Sequence, residues 1–258
     1  MTDKEYRELD GISRSELLLF RKSPSHFLYQ KENPREDTDA FAFGRAVHCY
    51  LLEGREVFFD NFAIAPEVNR RTKEGKQQYE IFCDVNAGKT IISQEQWETL
   101  FEMVKVVKAN EDAANLLSNG VAEQPIFWTD SQTGEKCKIR PDWLNTKDKV
   151  IVDYKTASDL SDGVFERDAR KYGYKVQSGM YREGVFNQYL EDYSFVFIAQ
   201  EKTAPFAVRI YECSPDYIEE GYDEFRALLG MYHECKERGE FPSYGGFDHG
   251  REILYGER

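Results

Sequence analysis

The stretch Val150-Ile151-Val152-Asp153-Tyr154-Lys155-Thr156, preceded by Lys138-Ile139-Arg140-Pro141-Asp142, decides how this chain folds. The run from Val150 is β-branched and aromatic, and apolar enough to lie inside a sheet. An acid and a lysine nonetheless interrupt it. Side chains alternate faces along a strand, so Asp153 and Lys155 point one way and Tyr154 the other. Burying that pair among valine and isoleucine is costly unless a bound cation or a close ion pair compensates it. Asp142, at the end of the preceding strand, supplies a second carboxylate. Two carboxylates at adjacent strand ends offer hard oxygen ligands, which suit magnesium or manganese better than zinc.

Working outward, Glu123 to Trp128 and Lys136 to Leu144 read as the two strands of a hairpin joined by the turn-rich Asp130-Ser131-Gln132-Thr133-Gly134. Two further strands, Ser194 to Gln200 and Ala207 to Cys213, and helices over Val164 to Lys171, Val176 to Tyr189 and Pro215 to Arg238 complete this half. The upstream half is helical. Ser13-Arg14-Ser15-Glu16 is a capping box before an apolar run, and Ser23-Pro24 stops that helix and starts another. Phe41 to Leu52 has helical spacing and ends at Gly54, with Gly44 and His48 on one face. A long helix runs from the capping box Ser93-Gln94-Glu95-Gln96 to Leu117, closed by Asn119-Gly120. Ala65 to Gln78 carries a basic stretch without clear period and reads as a solvated loop. The expected fold class is α/β, a central mixed sheet of roughly five strands flanked by helices. It forms one domain over residues 1–258: a mainly helical part (1–120), an αβ core (121–240) and a tail (241–258).

Composition narrows the function classes. With 258 residues, 41% hydrophobic and 14% aromatic, the chain is globular rather than disordered. No apolar run reaches membrane-span length and the first residues do not resemble a signal peptide, so a cytoplasmic protein with no membrane partner is expected. Five cysteines, odd in number and without a CxxC pair, argue against a disulfide framework and against a zinc or iron–sulfur clip. The formal net charge of −13 opposes nucleic-acid binding unless the cations are locally concentrated. Arg14, Arg21, Lys22, Arg45, Arg70, Arg71, Lys73, Lys138 and Arg140 lie in or beside the segments just described, and would form a basic channel. The acids of Asp216 to Glu224 and Asp248 to Glu257 would then face away from it.

The run Ile139-Arg140-Pro141-Asp142 followed by Asp153-Tyr154-Lys155 resembles the signature of the PD-(D/E)XK nuclease superfamily. Phe43-Gly44-Arg45-Ala46-Val47-His48 resembles the G-x-x-x-H helix of its RecB-like branch, and Gln177-Ser178-Gly179-Met180-Tyr181 the Q-x-x-x-Y helix. Within that branch the chain is most similar to the RecE (exonuclease VIII) nuclease domains and their phage relatives, also through Ile12 to Ser15 and Arg70 to Lys76. Aspartate at position 153 stands where many branches have glutamate.

The resemblance implies a magnesium or manganese centre of one or two ions held by His48, Asp142, Asp153, Glu123 and the backbone carbonyl of Tyr154. It implies Asp142, Asp153 and Lys155 as catalytic groups, with Gln177 and Tyr181 holding the lysine or the DNA near the metal. Such an ion polarises a phosphoryl oxygen and lowers the pKa of a bound water, and Lys155 offsets charge developing on phosphorus. Arg14, Arg45, Arg70, Arg71, Lys73, Lys76 and Arg140 are the expected phosphate contacts, which position DNA without reading bases. The implied activity is a 5′ to 3′ exonuclease on linear double-stranded DNA, leaving a 3′ overhang for a single-strand-annealing recombinase. The implied assembly is a ring-shaped homo-oligomer in a bacterial or phage-infected cell. An endonuclease of the same superfamily and a catalytically inactive DNA-end-binding module are the alternatives.

Overall fold

A computed structural model describes residues 3–34, 38–244 and 246–248. The chain opens with α1 (Asp3–Glu8), β1 (Ile12–Ser13), α2 (Arg14–Phe20), α3 (Pro24–Glu32) and α4 (Asp39–His48). It continues through α5 (Arg55–Asn61), β2 (Phe62–Ile64), α6 (Lys73–Val85), β3 (Thr90–Ile92), α7 (Gln94–Ala109) and α8 (Glu111–Leu116). Strands β4 (Gly120–Ala122), β5 (Ile126–Thr129), β6 (Lys136–Ile139), β7 (Trp143–Asn145) and β8 (Val150–Ala157) follow. Then come α9 (Val164–Lys171), α10 (Tyr174–Tyr189), β9 (Ser194–Glu201), β10 (Val208–Glu212) and α11 (Pro215–Arg238).

The central sheet has five strands in the order β10-β9-β8-β7-β4, with β8 and β9 parallel and every other pair antiparallel. It is the mixed, helix-flanked sheet expected. Strand β8 is covered on both faces, which is why it reads as an apolar run. Ile151 and Ala157 join a core with Phe195 and Phe197 of β9, Leu17 and Phe20 of α2, Val176 and Met180 of α10 and Phe225 of α11. Val150, Val152 and Tyr154 join the opposite core, with Phe43 and Val47 of α4, Phe58 of α5 and Leu100 and Met103 of α7. Asp153 and Lys155, by alternation, belong to the α10 side. The Tyr154 hydroxyl on the other side donates to Gln200 Oε1 at 2.5 Å, and the Gln200 amide is spent on the carbonyls of Met103 and Phe206.

The structure corrects several sequence expectations. The strand expected from Lys136 to Leu144 is two strands in two sheets: β6 pairs with β5 and β1 in a separate three-stranded sheet, while β7 belongs to the central one. The break falls at Arg140-Pro141-Asp142, because proline cannot donate to a ladder and ends the pairing. The long helix from Gln94 is broken at Asn110, which is extended (ψ 115°) and whose side chain accepts from the Ala113 amide to start α8. Asparagine there offers the backbone a local alternative to the helical bond. The helix expected through Leu52 is α-helical only to His48, and Cys49–Glu53 form a π turn before Gly54. Lys73 to Val85 is a helix rather than loop, capped by Thr72 through the Gly75 amide at 3.0 Å. Short elements α5, β2 and β3 have no counterpart in the sequence reading. The tail beyond Asp248, with the acids of its segment, lies outside the described residues. All five cysteines are free.

The β5–β6 hairpin is pinned to α11 by charge. Asp130, buried at 3%, accepts from the Thr133 amide at 2.8 Å and pairs with Arg226, and Glu135 pairs with His233 at 3.0 Å and Lys236 at 2.5 Å. Burial alone would raise the Asp130 pKa, but Arg226 and Thr133 outweigh it and hold it at about 2. A carboxyl depressed on folding contributes stability that is complete above its unfolded value of 3.8 and lost as pH falls through the folded one. Melting temperature should therefore drop between pH about 4 and about 2, and Asp130→Asn should flatten that part of the curve; an unchanged curve would show that the pair is not coupled to folding.

Candidate metal centre

Four elements bring the site residues to one end of β8. Strand β7 stops pairing at Trp143 opposite Val152, so the edge of β8 beyond that point has no strand beside it. Asp142 takes the strand's place: its Oδ2 accepts from the Tyr154 amide at 2.8 Å. Amide and carbonyl of one strand residue face the same edge, so the Tyr154 carbonyl lies on that open edge too. His48, at the last turn of α4 just before the π turn, packs edge-on against the Tyr154 ring (centroids 5.1 Å), with Nδ1 3.3 Å from the same Asp142 oxygen. π turns inside helices are frequent at functional sites, where they re-aim a side chain. A methyl group added at Gly44, one turn before His48, would meet nothing within 4 Å, so no packing within the described residues requires glycine there.

Glu123 completes a cluster. Its backbone is left-handed (φ 50°) and its amide bonds the Asp142 carbonyl at 3.1 Å. That conformation costs a non-glycine residue roughly 1–2 kcal/mol, and it ties the two acids back to back. Ligand atoms of His48, Glu123 and Asp142 all lie within 4.8 Å of one another. The sequence reading grouped Asp153 and Glu123 with His48 and Asp142. The structure places Asp153 beside that triple on the other face of β8, since His48 approaches from the Tyr154 side.

Asp153 is 1% exposed. One oxygen accepts from the buried Gln177 amide of α10, and the other, Oδ1, lies against the Lys155 ammonium but has no hydrogen-bond partner among the described residues. Lys155 sits over the Tyr174 ring at 5.0 Å, and Arg14 of α2 approaches the same ring at 5.8 Å while bonding the Tyr172 carbonyl. Tyr181, one turn beyond Gln177, is partly buried. Desolvation, then Tyr6, Asp153 and Asp142, raise its pKa well above the usual phenol value, which keeps it protonated. Asp142 is raised as well, first by desolvation and then by the Asp153 charge, against the lowering effects of His48 and Lys155. The site thus concentrates more negative charge than its own cations neutralise. A nitrogen and several carboxylate oxygens gathered at one strand end fit a divalent cation.

The expected phosphate contacts are not gathered alike. Lys155 and Arg140 pair with Asp153 and Glu123, whereas Arg14 reaches the Tyr172 carbonyl and the Tyr174 ring. Arg45 lies on α4 one turn before His48, half-buried. Arg70, Arg71, Lys73 and Lys76 are exposed at the start of α6, with Arg70 stacked on Tyr79 at 4.6 Å. Lys138 is a correction: it is buried, lowered in pKa by that burial, and donates to the carbonyls of Tyr6, Arg7 and Leu9, closing the end of α1 rather than lining a channel. Arg21 is tied to Glu224 at 3.0 Å. Asp216, Glu219, Glu220 and Asp223 are exposed on α11. No helix among the described residues is long and apolar enough to cross a membrane.

A mixed sheet whose edge is finished by a carboxylate, with an acid and a lysine alternating on the next strand, is the arrangement of a PD-(D/E)XK-like domain. The chain belongs to the family described as a PDDEXK-like domain of unknown function, DUF3799, whose profile matches residues 13–251. Among solved structures it is similar to a protein from Eubacterium rectale provisionally named an exonuclease, at 16% identity and a TM-score of 0.66 over 100% of this chain and 96% of that one, a likeness of fold. A weaker likeness to SSO0001 (12% identity, TM-score 0.33, over 74% of this chain and 85% of that one) carries no argument. No curated protein matches the chain.

Proposed function

We propose that this protein is a divalent-metal-dependent deoxyribonuclease. The observation that carries the reading is the meeting of His48, Glu123 and Asp142 at the open edge of β8, beside a buried Asp153 paired with a lysine. His48, Glu123 and Asp142 would hold magnesium or manganese, one or two ions, with Asp153 and the Tyr154 carbonyl adjoining. The ion when bound supplies charge that polarises a phosphoryl oxygen and favours ionised water. The chain's own groups do the rest. Gln177 fixes the Asp153 carboxylate by donating its amide. Lys155, a cation set against that carboxylate on one side and a tyrosine face on the other, offsets charge that develops on phosphorus. Tyr181 remains a hydrogen-bond donor because its neighbourhood opposes ionisation. Arg14, Arg45, Arg140 and the exposed Arg70, Arg71, Lys73 and Lys76 track the phosphates.

The finer reading follows the likeness to RecE-type nucleases: degradation of one strand from a 5′ end of linear duplex, a 3′ overhang passed to an annealing recombinase, and a ring of subunits around the DNA. The decisive experiment compares linear and closed circular duplexes in magnesium, with 5′-phosphate and 5′-hydroxyl ends and a chelator control. Loss of linear DNA from its 5′ ends with circles intact is the expected result. Cut circles would make it an endonuclease, and end binding without digestion an inactive module.

A further inference from the structure

Arg140 is placed between the acids and the N-terminal helix. Its Nε lies 2.7 Å from Glu123 Oε2, with the two side chains only 16% and 18% exposed. Its guanidinium also lies 4.8 Å from the Tyr6 ring centre. We propose that Arg140 is a metal-triggered switch: the counter-cation of Glu123 while no divalent ion is bound, and a ligand of a DNA phosphate once an ion has taken Glu123. Ion loading would then arm substrate binding, a deepening that rests on the metal-centre reading above.

Three observations support it. The first is charge. Glu123, Asp142 and Asp153 face Lys155 and Arg140, so the site is negative without an ion; a divalent ion makes it positive, and the backbone anion of DNA restores balance. The second concerns which partner moves. Both residues lie outside regular structure, but the Glu123 backbone is held by its left-handed turn and its amide bond to the Asp142 carbonyl, beside the other ligand atoms. A cation arriving there competes with the arginine for a carboxylate already in place. The third is the platform. Lys138 closes α1 through three carbonyls, one of them Tyr6's own, and its ammonium lies 5.3 Å from the Tyr6 ring. A held ring lets a guanidinium turn across its face while keeping the cation–π contact. Bidentate reach to a phosphate is what a freed guanidinium offers and a lysine does not.

The test uses the full chain labelled with 15N-arginine and 15N-histidine, titrated with Mg2+ alone, the Arg140 Nε–Hε and His48 ring signals being assigned by their loss in Arg140→Lys and His48→Gln. The expected result is that the Arg140 signal leaves its ion-paired position over the same Mg2+ range in which the His48 ring signals shift. If the His48 signals respond and the Arg140 signal does not, the switch is wrong while the metal centre stands. If neither responds, the metal centre falls, and the switch with it. In a second arm, duplex affinity is measured by anisotropy with Ca2+ and without any divalent ion. Arg140→Gln should weaken binding about tenfold with the ion, the loss of one charge-assisted hydrogen bond, and by about twofold at most without it, where only a general electrostatic contribution is lost. Equal weakening in both conditions would overturn the switch, because Arg140 would then reach phosphate with no ion needed.

Discussion

Asp153→Asn should fold like the wild type and degrade linear duplex DNA about 10³-fold more slowly. Asparagine has the shape of aspartate, and its carbonyl oxygen can still accept from the Gln177 amide. Lys155 loses its counter-ion but is 19% exposed and rests on Tyr174, so its ammonium reaches water along a flexible stem. Asp142 meanwhile loses the like charge that crowds it. Stability should change by less than about 1 kcal/mol, while the lost charge removes an electrostatic contribution of the size that active-site groups commonly supply. Lys155→Ala should be equally inactive but also less stable, by about 3 kcal/mol, because it leaves Asp153 charged, buried and uncompensated. A nuclease assay beside thermal melting separates the two. If Asp153→Asn kept a tenth or more of its activity, the proposed chemistry would be wrong.

The second large effect is remote from the acids. Helices α10 and α11 cross with Gly179 against Gly221, and a methyl group on Gly221 would overlap the Lys175 carbonyl, as one on Gly179 would overlap the backbone of Tyr222. Gly221→Ala therefore cannot be absorbed by rotating a side chain. The helices must separate, which costs about 3 kcal/mol, the upper part of the range for overpacked cores. Because α10 also carries Gln177 to Asp153, activity should fall at temperatures where the variant is still folded. Denaturant unfolding and a rate measured well below the midpoint check both parts. A variant with wild-type stability would show that the two helices separate at this crossing without cost.

Much of this architecture is legible in the residues because local chemistry and tertiary need agree. The Glu16 carboxylate accepts from the Ser13 amide at 2.9 Å, as a capping box predicts, and Ser93 with Gln96 does likewise for α7. Helix α11 spans Pro215–Arg238, the stretch expected of it. The alternation in β8 correctly separated Asp153 and Lys155 from Tyr154. What the sequence could not convey is which neighbour each edge finds. Pro141 marks a break, but only the tertiary pairing shows that the chain there leaves one sheet for another. Strands β2 and β3 are three residues each and support one another across an intervening helix, so neither has a local signature. Thr72 was a readable cap for α6, masked by the charge density around it. In the site, the resemblance named His48, Asp142 and Glu123, whose ligand atoms come together, but no local pattern in the residues pointed to Glu123. Its left-handed backbone is a tertiary product, and period-two reasoning has no means of assigning His48 and Asp153 to opposite faces of one strand.

The passage of the chain from one sheet to the other at Arg140–Asp142 has a consequence for the choice of ion. Glu123 and Asp142 sit at joints between two independently paired ladders, so the spacing of their oxygens is a vernier reading of one sheet against the other. Magnesium demands near-ideal octahedral distances and manganese is more tolerant. Substitutions deep in either core, far from any acid, would thus be felt first as drift in metal preference, and only later as loss of the fold.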